Sequence, residues 1–152
     1  MALRAALAAT INYKRAKGAG SILGDEKFVR TGSGLTIERT AFGSITIDGK
    51  TYEHDVIIRL SGEVVKRKKK LSKKYYGTSH VISKDEAKFV FEKGCEQLII
   101  GSGQMGNVNL SPEAEAYFAK AGCKVLLQPT PDAIDMFNRS RERKSGLFHV
   151  TC

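Results

Sequence analysis

The stretch Gln97-Leu98-Ile99-Ile100-Gly101-Ser102-Gly103-Gln104-Met105-Gly106 is followed by Ser111-Pro112 and then, past Gly122, by Lys124-Val125-Leu126-Leu127. A short apolar run, a glycine turn, a capped helical segment and a second apolar run make a strand–helix–strand unit. Its helix starts with Ser111 as N-cap and Pro112 as N1. Ala114, Tyr117, Phe118 and Ala121 fall on one face before Gly122 stops it. Two more helices flank this unit. Ser83-Lys84-Asp85-Glu86 is a capping box, in which serine and glutamate satisfy each other's amides; the helix behind it buries Ala87, Val90 and Phe91 and stops at Gly94. Thr130-Pro131 opens the third, which buries Ile134 and Phe137. It ends among Arg139, Arg141, Arg143 and Lys144, cations that suit the negative end of a helix. Residues 147–151 read as a final strand.

The first half reads as hairpins. Residues 35–39 and 44–47 form strands around Phe42-Gly43, and Asp48-Gly49 is a strong two-residue hairpin signal leading into 51–53. Residues 55–60, with Val56-Ile57-Ile58, make a buried strand, and Ser61-Gly62 turns the chain into 63–65. Hairpins pair antiparallel, whereas strand–helix–strand units need crossovers. The reading is one α/β (α+β) domain over 35–152, with two layers and a mixed sheet.

A length of 152 residues suits one domain, and 41% hydrophobic with 27% charged residues excludes wholesale disorder. No apolar run approaches the roughly 18 residues of a membrane span. Cys95, Cys123 and Cys152 are odd in number and lack C-x-x-C spacing, which argues against a disulfide framework and fits a reducing, cytoplasmic compartment. Residues 1–34 differ from the rest. Leu3, Leu7 and Ile11 share a helical stripe, no acid precedes Asp25, and Arg4, Lys14, Arg15 and Lys17 are basic. Such a composition is that of a transit peptide, with mitochondrial location as the alternative to cytoplasmic. A flexible leader ending in the linker-like Thr31-Gly-Ser-Gly34 is the plainer reading.

Net charge is +9. Residues 1–34 contribute +4, and Lys66, Arg67, Lys68, Lys69, Lys70, Lys73 and Lys74 carry +7 within nine residues, so the remainder stands at −2. The protein is therefore a nearly neutral domain with one basic strip. Followed by Tyr75 and Tyr76, the strip suits phosphates and stacked bases, an acidic protein surface or an anionic membrane; an idle solvated face is the other reading.

Gly101 to Gly106 matches G-x-G-x-x-G directly after a strand. Two requirements of a dinucleotide site fail: the helix starts only at Ser111, and the next strand ends in Gln128-Pro129 instead of an acid. A tight turn at positive φ, or a bound anion, remains. The histidines are His54, His80 and His149. In an extended strand His149 and Cys152 face opposite sides, which argues against joint chemistry. No H-x-x-x-H pair, carboxylate cluster or G-x-S-x-G elbow occurs, so no metal site, cofactor or catalytic residue is expected, and the reading leans away from an enzyme.

Phe42-Gly43-Ser44-Ile45, Gly77-Thr78-Ser79-His80, Leu98-Ile99-Ile100-Gly101-Ser102-Gly103 and Gly146-Leu147-Phe148-His149-Val150-Thr151-Cys152 together resemble a small α/β family of unknown function. It includes the adipogenesis-associated protein and a mitochondrial complex I assembly factor. The resemblance covers about 36–152. It implies a two-layer mixed-sheet fold, no established activity or cofactor, and protein partners of the assembly-factor kind. It places Thr78, His80, Gly101, Gly103, Gln104 and Gly106 around one functional surface. The leading expectation is a non-enzymatic protein-interaction domain. A nucleic-acid module using the strip, and an anionic-ligand protein or enzyme using the glycine loop, stay open.

Overall fold

Asp48 and Gly49 both take positive φ, +47° and +81°, the turn geometry that matches strand twist. The hairpin they close pairs Ile47 with Lys50. The computed structural model describes residues 34–152, so the leader expected over 1–34 lies, but for Gly34, outside the described residues. In chain order the elements are β1 (Ile37–Ala41), β2 (Ser44–Ile47), β3 (Lys50–Tyr52), β4 (Val56–Ile58), β5 (Val64–Lys66), α1 (Lys70–Tyr76), β6 (Val81–Ile82) and α2 (Lys84–Val90). Then come β7 (Gln97–Ser102), β8 (Asn109–Leu110), α3 (Pro112–Lys120), β9 (Lys124–Gln128), α4 (Thr130–Arg139) and β10 (Lys144–His149).

The central sheet has the order β5-β4-β10-β7-β9. β10, β7 and β9 run parallel, while β4 is antiparallel to both β10 and β5. β1-β2-β3 form a separate antiparallel sheet, and β6 pairs in parallel with β8. This is the mixed-sheet α/β domain expected from the sequence, with hairpins first and strand–helix–strand units after.

Both faces of the central sheet are apolar because side chains alternate along each strand. Val56, Ile58, Ile99, Leu126 and Phe148 pack on one side with Ala133, Ile134 and Phe137 of α4 and Ile37, Ile45 and Ile47 of the small sheet. Ile57, Leu98, Ile100 and Leu147 pack on the other with Ala87 and Val90 of α2 and Ala114 and Phe118 of α3. The small sheet and α4 thus add a covering layer beyond the two read from the sequence.

The helix starts follow local chemistry, with two reassignments. Ser111 accepts the Ala114 amide at 3.0 Å, and Ser83 accepts the Glu86 amide at 3.1 Å. The reciprocal half of the capping box is absent: the Ser83 amide goes to Ser72 Oγ at 2.9 Å, because the Glu86 carboxylate is engaged elsewhere. Thr130 lies just inside α4, whose N-cap is Pro129, and its hydroxyl serves the glycine loop. At the other end Lys144 donates to the Phe137 and Ser140 carbonyls, completing α4 with a cation as expected.

Phe148 is fully buried and meets Phe137 edge-on, with ring centroids 5.7 Å apart. Phe148→Ala will cost about 3–5 kcal/mol, read as a lower urea midpoint with unchanged slope. Phe42→Ser, at a residue 69% exposed, will stay within about 0.5 kcal/mol of the parent.

Candidate functional site

Asp55 precedes the run Val56-Ile57-Ile58 and is carried inside with it, 2% exposed. Its Oδ2 accepts from Arg67 Nη1 at 2.9 Å and from His149 Nδ1 at 2.7 Å, and its Oδ1 accepts the Val150 amide at 2.9 Å. Arg67, one residue past β5, is also buried. It reaches Glu86 through Nε at 2.5 Å and Nη2 at 3.1 Å, and Nη2 donates to the Ser79 carbonyl at 2.7 Å. Ser72 of α1 donates to the same Glu86 carboxylate. Burying such ions costs several kcal/mol each and is offset only when every polar atom finds a partner. Burial pushes the Asp55 carboxyl up, but the hydrogen bonds from His149 and the Val150 amide, with the Arg67 charge, outweigh it and hold the group well below the usual carboxylate range.

An ionised Asp55 assigns the His149 proton to Nδ1, so Nε2 faces outward to Thr151 Oγ1 at 3.1 Å. His80 lies against this ring, edge-on, with centroids 5.4 Å apart. Its amide is held by Thr78 Oγ1 at 3.1 Å, and its carbonyl accepts the Asn109 amide at 2.8 Å. Cys152 Sγ lies 3.8 Å from His80 Nε2. One donor atom from each of His80, His149 and Cys152 lies within 4.8 Å of the others. His149 is buried, and His80 and Cys152 are half-buried.

This convergence departs from the opposite-face reading of His149 and Cys152. β10 stops at His149, not at residue 151. The Val150 carbonyl accepts the Gly43 amide at 2.8 Å, the Thr151 carbonyl accepts the Gln104 amide at 2.7 Å, and the Cys152 carbonyl accepts the Asn107 amide at 3.3 Å. Strand alternation therefore no longer governs the tail, and the thiol turns back toward His80.

The glycine loop is the clasp for that tail. Gly103 has φ +105°, and a Cβ there would lie 2.5 Å from the Cys152 carbonyl carbon. At Gly101 a Cβ would lie 2.8 Å from both Phe148 Cδ1 and Thr130 Oγ1. The Gly103 amide donates to Thr130 Oγ1 at 2.9 Å, and that hydroxyl donates to the His149 carbonyl at 2.6 Å. The Gly106 amide closes on the Gly103 carbonyl at 3.2 Å. With the amides of Gly103, Gln104, Gly106 and Asn107 bonded within the protein, the loop does not present them to an anion.

Thr78, His80, Gly101, Gly103, Gln104 and Gly106 therefore gather at the end of the central sheet, around residues 149–152. Gln104 also ties in the first hairpin, donating from Nε2 to Thr40 Oγ1 at 3.0 Å. Of the basic strip, Lys66, Lys68, Lys70, Lys73 and Lys74 are exposed and Lys69 is half-buried. Arg67 is 4% exposed and lies inside the domain, apart from the rest of the strip. Sequence reasoning did not single out Asp55, Glu86 or Thr130. Asp55 carried a signal, an acid abutting a wholly apolar strand; the other two carried none beyond their helix-start positions.

The description "Protein of unknown function (DUF498/DUF598)" matches residues 37–146. A conserved hypothetical protein from Pyrococcus horikoshii is similar in structure, with TM-score 0.72 and 33% identity over 77% of this chain and 99% of that one. A structure titled MT938 gives TM-score 0.66 and 32% identity over 78% of this chain and 99% of the other. A Bordetella pertussis protein described as an Mth938-like domain shares the fold at TM-score 0.51 and 17% identity, over 76% of this chain and 85% of that one.

Arg67→Met will destabilise by about 3–5 kcal/mol, because it takes the shared guanidinium away from two buried carboxylates. The acid limb has a definite sign. Asp55 binds its proton less readily folded than unfolded, so its contribution is present above the ordinary carboxylate pKa and is lost as the pH falls below it. Urea midpoints measured from pH 7 down to pH 2 will fall, and Asp55→Asn will flatten that fall.

Proposed function

The chain belongs to the DUF498/DUF598 family of proteins of unknown function, and from that premise we propose that it works as a non-enzymatic protein-interaction domain of the assembly-factor kind. The basic strip is its docking surface, and an acidic protein surface is its partner. One observation carries the reading. Lys66, Lys68, Lys70 and Lys73 are exposed, and among the described residues none of them forms an ion pair. Lys69 leans toward the buried Asp55 at 3.6 Å, and Lys74 pairs with Asp85 at 3.0 Å, so the four unpaired lysines form the outward charge. Like charges held this close repel each other, and a negative partner relieves that repulsion.

The neighbouring tyrosines favour protein over nucleic acid. Lys74 Nζ lies over the Tyr75 ring, 5.0 Å from its centroid, and the Tyr75 hydroxyl donates to Asp85 at 2.7 Å. The Tyr76 hydroxyl reaches Glu113 at 3.4 Å. Binding of single strands needs open aromatic faces beside the cations. Here one face is occupied by the protein's own lysine, and carboxylates stand at the ring edges. An acidic protein surface needs only the cations.

The test is capture of partners by the tagged full chain from its own cells, with and without nuclease, beside the triple variant Lys68→Glu, Lys70→Glu, Lys73→Glu. The expected outcome is a protein set that resists nuclease and is lost with the triple variant. A set that vanishes with nuclease, or one that the triple variant keeps intact, overturns the proposal.

A further inference from the structure

We infer that His80, His149 and Cys152 form a binding site for one borderline-soft divalent cation, zinc. The inference does not rest on the docking proposal, since the basic strip contributes no donor to it. Three segments far apart in sequence supply the site: the loop between α1 and β6, the end of β10, and the tail clasped by the glycine loop. Chance adjacency of surface acids is common, but here two imidazoles and a thiol converge, with donor atoms within 4.8 Å of one another.

The donor set selects the metal class. Two nitrogens and a sulfur suit zinc, whereas calcium and magnesium need several oxygen ligands. The Asp55 carboxylate beside His149 is bonded to Arg67, His149 and Val150. It acts from behind the site. A carboxylate on the far nitrogen of a ligating histidine fixes its tautomer and turns its lone pair outward, the usual support of a zinc-bound imidazole. His149 Nδ1 already has that bond, at 2.7 Å, and its Nε2 meets the Thr151 hydroxyl at 3.1 Å, a contact that a metal would displace.

The distances are compatible with tetrahedral closure. With Zn–N near 2.0–2.1 Å and Zn–S near 2.3 Å, neighbouring ligand atoms stand about 3.5 Å apart. Cys152 Sγ and His80 Nε2 are already 3.8 Å apart. The remaining contraction falls on His80 and Cys152, both half-buried, while their backbones are pinned by the Asn109–His80 and Asn107–Cys152 hydrogen bonds. Three protein ligands leave a fourth position for water or an exogenous group, the pattern of zinc sites that exchange a ligand.

The experiment uses the full chain without a histidine tag, freed of metal by a chelator, and cobalt(II) as the optical probe. One equivalent of cobalt is expected to produce a sulfur-to-cobalt charge-transfer band and the intense visible bands of a four-coordinate site. One equivalent of zinc should then abolish both. Cys152→Ser is expected to remove the charge-transfer band, and His80→Ala to weaken binding by no less than the roughly 10–100-fold lost when a ligand's supporting partner is removed. Far-ultraviolet circular dichroism checks that both variants fold; their side chains lie outside the two apolar clusters. Absence of the band in the parent chain overturns the inference. So does a band that survives Cys152→Ser and is lost with Cys95→Ser, since the metal would then sit at the buried Cys95–Cys123 pair, whose sulfurs are 3.8 Å apart.

Discussion

Arg67 lies between Asp55 and Glu86 with its guanidinium shut away from water, and each carboxylate has further partners that only this fold provides. Glu86 brings in α2 and, through Ser72, α1. Asp55 brings in the end of β10 through His149 and Val150. Arg67 itself takes the Ser79 carbonyl of the loop before β6. A hydrophobic interior tolerates sliding and repacking, whereas buried ions tolerate neither, because each lost hydrogen bond exposes an uncompensated charge. The ion chain therefore acts through geometry more than through net stabilisation: it fixes where α1, α2 and the β10 tail stand relative to β4.

The candidate site inherits its shape from that constraint. Asp55 holds Arg67 with one set of bonds and the His149 ring with another, so the carboxylate that secures the fold also sets that imidazole against His80 and Thr151. The glycine loop completes the arrangement from the other side. Its glycines admit the close approach of Phe148, Thr130 and the Cys152 carbonyl. In a dinucleotide fold such a loop offers its amides to a pyrophosphate; here the amides hold the protein's own tail. The same local pattern serves a different end because its partner is part of the chain.

Much of the fold was legible in local sequence. Asp48-Gly49 can make its turn wherever it stands, Ser111-Pro112 can cap its helix alone, and the alternation in Val56-Ile57-Ile58 needs only a sheet to divide it between two faces. The site was legible in part. Thr78, His80 and the glycine loop were grouped from a family resemblance, and the cluster they join depends on residues whose neighbours lie elsewhere. Glu86 reads locally as the second half of a capping box, yet its carboxylate turns to Arg67. Arg67 reads as one cation among seven, yet it alone is inside. Nothing within nine residues of Arg67 announces that difference, because its two acids lie 12 and 19 positions away.

The sequence by itself determined the mixed α/β class, the hairpins, the serine caps at Ser83 and Ser111 and the position of the basic strip, since each follows from contacts between near neighbours along the chain. Only the tertiary structure decided which charge is buried, where β10 ends and which of the scattered donors meet. Those outcomes turn on long-range hydrogen bonds, from Gly43 to Val150, from Gln104 to Thr151 and from Val150 to Asp55, that bend the tail out of strand geometry. A periodic reading assumes the strand continues. Once it stops, residue spacing no longer says which side chains face each other.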